Sequence, residues 1–189
     1  MTTMNLIGLC GSLRAASYNR MALNLAAASL PDGATLTIAD WRAVPVYDGD
    51  VEAQGRPAAV QALREQLRGA DGLVVCTPEY NHSLPGGLKN VLDWVTRGAD
   101  QPLAGMPAAI LSASGGPLGG ARVQYDLRRT LTATGLLVMA KPEVFIGNAQ
   151  TKFDAAGACT DEATRGFVVA QMAAFAKWVR GVQAMRAVA

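Results

Sequence analysis

The chain has 189 residues, half of them apolar and 17% charged, which suits one domain with a sizeable core and excludes a disordered chain. A net charge of +2 without a block of like charges leaves no electrostatic footprint for nucleic acid or a membrane surface. No apolar run approaches the ~18 residues that span a bilayer. The opening run at 4–10 has no basic leader, so no secretory signal is expected. Cys10, Cys76 and Cys159 lack metal-ligand spacing and read as buried thiols in a reducing cytoplasm.

Apolar runs alternate with segments of helical period. Strands are predicted at 5–10, 35–39, 72–77, 108–113 and 136–140. Helices are predicted at 18–30, from Pro57 through Leu67, at 87–97, at 120–134 and from Asp161 onward. In the helix after Pro57, Val60, Leu63 and Leu67 share one face, with Arg64, Glu65 and Arg68 expected to point away. Gly135 is expected as a left-handed cap. The last helix has Val168, Met172, Phe175, Val179 and Val182 on one stripe. Residues 147–160 are the least regular stretch.

Continuous apolar strands alternating with helices predict a parallel sheet covered on both faces. Five strands suit a flavodoxin-like three-layer α/β sandwich with strand order 2-1-3-4-5, formed by residues 1–189 as a single domain. Ligands of such sheets bind beyond the carboxyl ends of the strands, where the order reverses. That point lies between strands 1 and 3, so the loops after them are expected to meet.

The loop after strand 1 is built for a phosphate monoester. Gly11 permits a tight turn, Ser12 and Ser17 offer hydroxyls, Asn19 an amide and Arg14 a permanent charge. The helix that follows directs free N–H groups and its positive end to the same place. The loop after strand 3 is stiffened by Pro78 and Pro85, and Gly86 and Gly87 allow close approach. It can offer backbone groups and a flat surface to an isoalloxazine ring. A glycine-rich segment at the end of strand 4, from Ser112 to Arg122, is expected to form a third wall. A flat, phosphorylated cofactor fits these walls, and FMN is the leading candidate.

Neither G-x-G-x-x-G nor a Walker sequence occurs, which argues against a dinucleotide fold of that type. A receiver domain needs acidic strand ends, whereas Cys10, Thr77 and Ala113 end the strands here. Asp40 is read as a solvated or capping residue.

The segments GSLRAASYNR, TPEYNHSLPGGLKNVLDWVTR and SGGPLGGARVQYDLRRTL resemble the signatures of the NADPH-dependent FMN reductase family, and the resemblance extends over nearly the whole chain. It implies non-covalent FMN, with Ser12, Leu13, Arg14, Ser17, Tyr18 and Asn19 around the phosphate end. Pro78, Glu79, Tyr80 and Asn81 would hold the ring, and Ser114 and Gly116 would approach it. It further implies NAD(P)H as co-substrate and hydride transfer to a small acceptor such as a quinone, chromate, an azo compound or free flavin. A homodimer or homotetramer is implied as well. No catalytic side chain and no metal are expected, because the flavin N5 takes the hydride. His82 departs from the aromatic residue common in the family and reads as a surface or interface residue. A flavodoxin-type electron carrier is the alternative, although carriers usually have a strongly acidic surface.

Overall fold

The computed structural model describes residues 3–188. Strands β1 (Met4–Cys10), β2 (Ala34–Ile38), β3 (Gly72–Thr77) and β4 (Pro107–Ala113) pair in parallel in the order β2-β1-β3-β4. β5 (Leu137–Val138) and β6 (Val144–Ile146) both pair with β4 and share the outer edge. The helices are α1 (Tyr18–Ala28), α2 (Gly49–Ala53), α3 (Ala58–Arg68), α4 (Gly86–Val95), α5 (Ala121–Ala133) and α6 (Glu162–Ala187). The fold is the expected flavodoxin-like sandwich.

Alternation along the central strands builds two cores. Leu6, Cys10, Val74, Cys76, Ala109 and Leu111 face α1 and α6, where they meet Leu23, Met172 and Phe175. Ile7, Leu9, Leu73, Val75 and Ile110 face the other way, onto Leu63, Leu67, Leu88, Val91, Leu127 and Leu131 of α3, α4 and α5. Every residue of β3 is buried, as expected of a strand covered on both faces. The connection β1–α1–β2 lies on one face and β2–α3–β3 on the other. The chain therefore reverses its winding between β1 and β3, which leaves a crevice at their carboxyl ends.

The α6 stripe is buried as its period predicts, and Asp161 caps the helix by accepting from Thr164 N–H at 2.8 Å. Gly135 has a φ of 87°, the left-handed cap expected after α5. All three cysteines are free and buried.

Three sequence expectations require correction. The fifth strand is only two residues long, because Lys141-Pro142 interrupts pairing before β6 resumes it with Leu111↔Val144; a proline has no N–H for the ladder. The segment after β2, read from the sequence as a loop with Trp41, Pro45 and Tyr47, contains the short helix α2, capped by Asp48, which accepts from Asp50 N–H at 2.8 Å. Arg64 does not point away: it is fully buried. Its guanidinium donates to the Val95 and Arg97 carbonyls at 2.6 and 3.1 Å, and it pairs with Asp100 at 2.9 Å. It thereby satisfies carbonyls that the end of α4 leaves without partners.

Candidate functional site

The crevice between β1 and β3 is closed below by Gly11, whose N–H donates to the Cys76 carbonyl at 2.8 Å. A Cβ at Gly11 would run into the Thr77 side chain, so the turn after β1 can approach β3 this closely only with glycine.

Two buried hydroxyls line the turn. Ser12 Oγ accepts from Arg14 N–H at 3.4 Å, and Ser17 Oγ accepts from Arg20 N–H at 3.4 Å as the N-cap of α1. Each oxygen is an acceptor within the fold, so each O–H remains available to donate. The first amides of α1, at Tyr18 and Asn19, have no intrahelical acceptor and face the same end. Arg14 is exposed, and its guanidinium takes no part in the ion pairs among the described residues. This donor set matches an anion with several acceptor oxygens.

Asn19 has a second task. Its Nδ2–H donates to the Ala113 carbonyl at 2.8 Å, and its Oδ1 accepts from Ala113 N–H at 2.9 Å. The side chain is 3% exposed. It locks the start of α1 to the end of β4, which sets the width of the crevice.

The wall after β3 is held from α5. The Glu79 carboxylate accepts from Arg122 N–H at 3.1 Å, Val123 N–H at 3.2 Å and Arg122 Nε at 2.6 Å. α5 begins after Gly120, which has no capping side chain, and Glu79 takes that role from another loop. Its carboxylate is therefore committed to structure, and Pro78, Glu79 and Tyr80 border the crevice beside it. Tyr80 and Ser83 then close a tight turn, with N–H to carbonyl bonds of 3.1 and 3.0 Å. Asn81 and His82 occupy its corners, with φ of 50° and 64°.

Behind the third wall, Ser114 Oγ donates to the Gly116 carbonyl at 3.1 Å, and Asn148 N–H donates to the same carbonyl at 3.0 Å. Ser112 Oγ, buried, donates to the Gly119 carbonyl at 2.6 Å. The glycine-rich segment is thus fastened at both ends rather than loose.

Two adjoining cavities result. One, of about 310 Å³, is bounded by Ser12, Arg14, Ser17, Tyr18 and Asn19 on one side and by Pro78, Glu79 and Tyr80 on another, with Ala113, Ser114 and Gly115 closing it. The second, of about 450 Å³, lies across Arg14 and Tyr80 and is lined by Leu13, Trp41, Pro85, Gly86 and Gly87. Both include Ser12, Arg14 and Tyr80, so they form one continuous depression. A Cβ at Gly86 would meet nothing within 4 Å, which leaves backbone open to a ligand there.

Most of the expected site residues converge on the first cavity. Leu13 is placed on the second instead. Asn81 sits exposed at the turn's corner, and the Gly116 carbonyl is turned to Asn148 and Ser114; neither lines either of these two cavities. Trp41 was not anticipated. Its indole N–H donates to the Cys10 carbonyl at 2.9 Å, and its ring floors the second cavity. The only local signal for it was an aromatic residue in the loop after β2.

Among the described residues no group of His, Cys, Asp and Glu is arranged to hold a metal ion, and no helix is long and apolar enough to cross a membrane. The walls fit FMN: hydroxyl, guanidinium and helix N–H groups for the phosphate, and a rigid wall from Pro78 to Tyr80 for the ring.

The NADPH-dependent FMN reductase family model matches residues 4–151. The chain is 46% identical over 177 residues to an NAD(P)H-dependent FMN reductase of Pseudomonas aeruginosa, covering 94% of this chain and 96% of that one. It is 45% identical over 186 residues to a quinone reductase of Escherichia coli K12, covering 95% and 97% respectively. Among solved structures, the flavoenzyme NAD(P)H:(acceptor) oxidoreductase FerB from Paracoccus denitrificans superposes with a TM-score of 0.87 at 30% identity, covering 95% of this chain and 98% of that one. The chain belongs to the NADPH-dependent FMN reductase family.

Proposed function

We propose that this member of the NADPH-dependent FMN reductase family transfers two electrons from NAD(P)H through bound FMN to a quinone. The observation that supports this most is the donor set at the head of α1. The Ser12 and Ser17 hydroxyls keep their protons free, and Arg14 takes no part in the ion pairs among the described residues, beside a cavity whose other wall is the segment from Pro78 to Tyr80. The names of the curated relatives point the same way.

When bound, FMN supplies a ring that can take a hydride from a nicotinamide and hand the electron pair to an acceptor. The protein's residues have simpler tasks. Ser12, Ser17, Arg14 and the first amides of α1 hold the phosphate. Pro78, Glu79 and Tyr80 border the ring edge, while Ser114 and Gly115 cover it from β4. The depression over Trp41 and Gly86 remains open for the nicotinamide and then for the acceptor in turn. An open platform of this kind accepts acceptors of varied shape, so chromate, azo compounds and free flavin belong to the proposed acceptor range.

Residues 1–189 act as one FMN-binding unit in this reading. A homodimer or homotetramer is part of it, supported by large apolar side chains left exposed at Tyr125, Phe145 and Phe167. A cytoplasmic setting is supported by three unpaired thiols.

Steady-state kinetics of the FMN-loaded protein test the proposal. NADPH and NADH are paired with quinone, free flavin, chromate and azo acceptors. Rapid two-electron reduction by NAD(P)H alone, followed by quinone turnover, is expected. A protein that stays colourless with FMN and oxidises no NAD(P)H overturns the reading. Slow reduction that requires a separate reductase points to an electron carrier instead.

A further inference from the structure

We propose that Asp126 on α5 is a positioning residue for the flavin-facing turn after β3, acting through Ser83. The inference rests on the FMN reading and concerns how the ring-side wall is held.

The turn from Tyr80 to Ser83 is a demanding one. Both corner residues carry side chains at positive φ, 50° at Asn81 and 64° at His82. Two successive positive φ angles mark a primed two-residue turn, which favours glycine. Asn and His are among the side-chain-bearing residues that tolerate this region best. Such a conformation persists when its surroundings hold it.

The support comes from one face of α5. At the entry to the turn, Glu79 accepts from Arg122 N–H at 3.1 Å and Arg122 Nε at 2.6 Å. At the exit, Ser83 Oγ donates to Asp126 Oδ2 at 2.6 Å. Arg122 and Asp126 are four residues apart and share a helical face. The residues flanking the turn are thus fastened one helical turn apart on the same rigid rod. Tyr80 lies between the two anchors, 47% exposed, at the junction of the two cavities.

Asp126 also pairs with Arg129 at 3.1 Å. Arg129 is 81% exposed, and an ion pair at that exposure contributes little. The Ser83 bond is the one that links Asp126 to the site. No ligand group needs to touch Asp126 for it to matter. It keeps the backbone of Tyr80 at a fixed distance from the glycine-rich wall that leads into α5.

FMN titration of flavin-free protein, read by quenching of flavin fluorescence, tests the role in Asp126→Ala, Asp126→Asn, Ser83→Ala and the Asp126→Ala/Ser83→Ala pair. The visible circular dichroism of the bound flavin is recorded alongside. Loss of one charge-assisted hydrogen bond predicts about tenfold weaker FMN binding in Asp126→Ala and in Ser83→Ala. The double variant should be no weaker than either single one, because the two residues act through one bond. Asp126→Asn, whose amide oxygen still accepts the Ser83 hydroxyl, should restore both affinity and dichroism. Amide hydrogen exchange at Tyr80 and Ser83 should rise in flavin-free Asp126→Ala and return in Asp126→Asn. Wild-type binding and dichroism retained in Asp126→Ala, or Asp126→Asn behaving as Asp126→Ala, overturns the positioning role alone. A wild-type protein that does not quench flavin fluorescence overturns the FMN reading and this inference with it.

Discussion

Asn19 and Ala113 exchange two hydrogen bonds, Nδ2–H to the Ala113 carbonyl at 2.8 Å and Ala113 N–H to Oδ1 at 2.9 Å. The side chain of one helix start thereby imitates a neighbouring strand at the end of β4. Cys76 Sγ adds a weaker contact to the same Oδ1 at 3.5 Å. Removing this clasp leaves a buried N–H and a buried C=O without partners. Asn19→Ala should therefore lower stability by roughly 2–4 kcal/mol, measured by urea unfolding of the flavin-free protein. Wild-type stability in that variant would show that water replaces the amide at no cost.

Arg14 behaves differently. It is exposed and takes no part in the ion pairs among the described residues, so the fold does not depend on it. Arg14→Ala should leave the urea midpoint of flavin-free protein unchanged while weakening FMN by about ten- to a hundredfold, the range for hydrogen bonds to charged groups. Unchanged affinity by fluorescence titration would remove Arg14 from the phosphate site.

His82, the only histidine, stands at a backbone angle that favours glycine. His82→Gly should raise stability by up to about 1 kcal/mol and preserve FMN affinity. A marked loss of FMN binding would instead assign the imidazole a contact with the ligand.

Gly87 faces the Trp41 ring. A Cβ there would lie 2.8 Å from Cη2 and 3.0 Å from Cζ3. Alanine favours a helix by about 1 kcal/mol over glycine, but overpacking costs about 1–3 kcal/mol. Gly87→Ala should be net destabilising and should change the tryptophan emission as Trp41 shifts. A more stable variant with unaltered emission would mean that the ring moves aside freely.

Asp161 has its pKa lowered by hydrogen bonding, first from the Thr164 side chain and then from the Thr164 N–H, against a smaller opposing effect of burial. Because the folded value lies below the unfolded one, the carboxylate's stabilising contribution is present above the ordinary aspartate range, near pH 4. It is lost as pH falls through the depressed folded value. Asp161→Asn should flatten the acid limb of the stability–pH curve relative to wild type. An unchanged acid limb in urea titrations would locate the dependence elsewhere.

What the sequence made legible follows from local chemistry. The apolar runs, the α6 stripe and Gly135 each announce themselves within a few residues, and strand order alone brings the two ligand loops together. What remained hidden depends on partners far along the chain. Arg64 reads as a solvent-facing charge by its residue type alone, although it stands four residues after Val60 on the buried stripe, and its donors serve the end of α4. Glu79 reads as a ligand group, yet its oxygens cap α5. The bond from Ser83 to Asp126 crosses 43 residues, and nothing in either neighbourhood signals it. β6 escaped because three residues after a proline make a weak pattern.

On the proposed function, the head of α1 is a phosphate site for a flavin. Parallel fluorescence titrations with FMN and riboflavin test it most directly, because the two ligands differ only in the phosphate. One FMN per chain is expected, with riboflavin binding weaker by at least about tenfold and a gap that narrows in Arg14→Ala. Equal affinity for the two ligands, or a gap indifferent to Arg14, would contradict it.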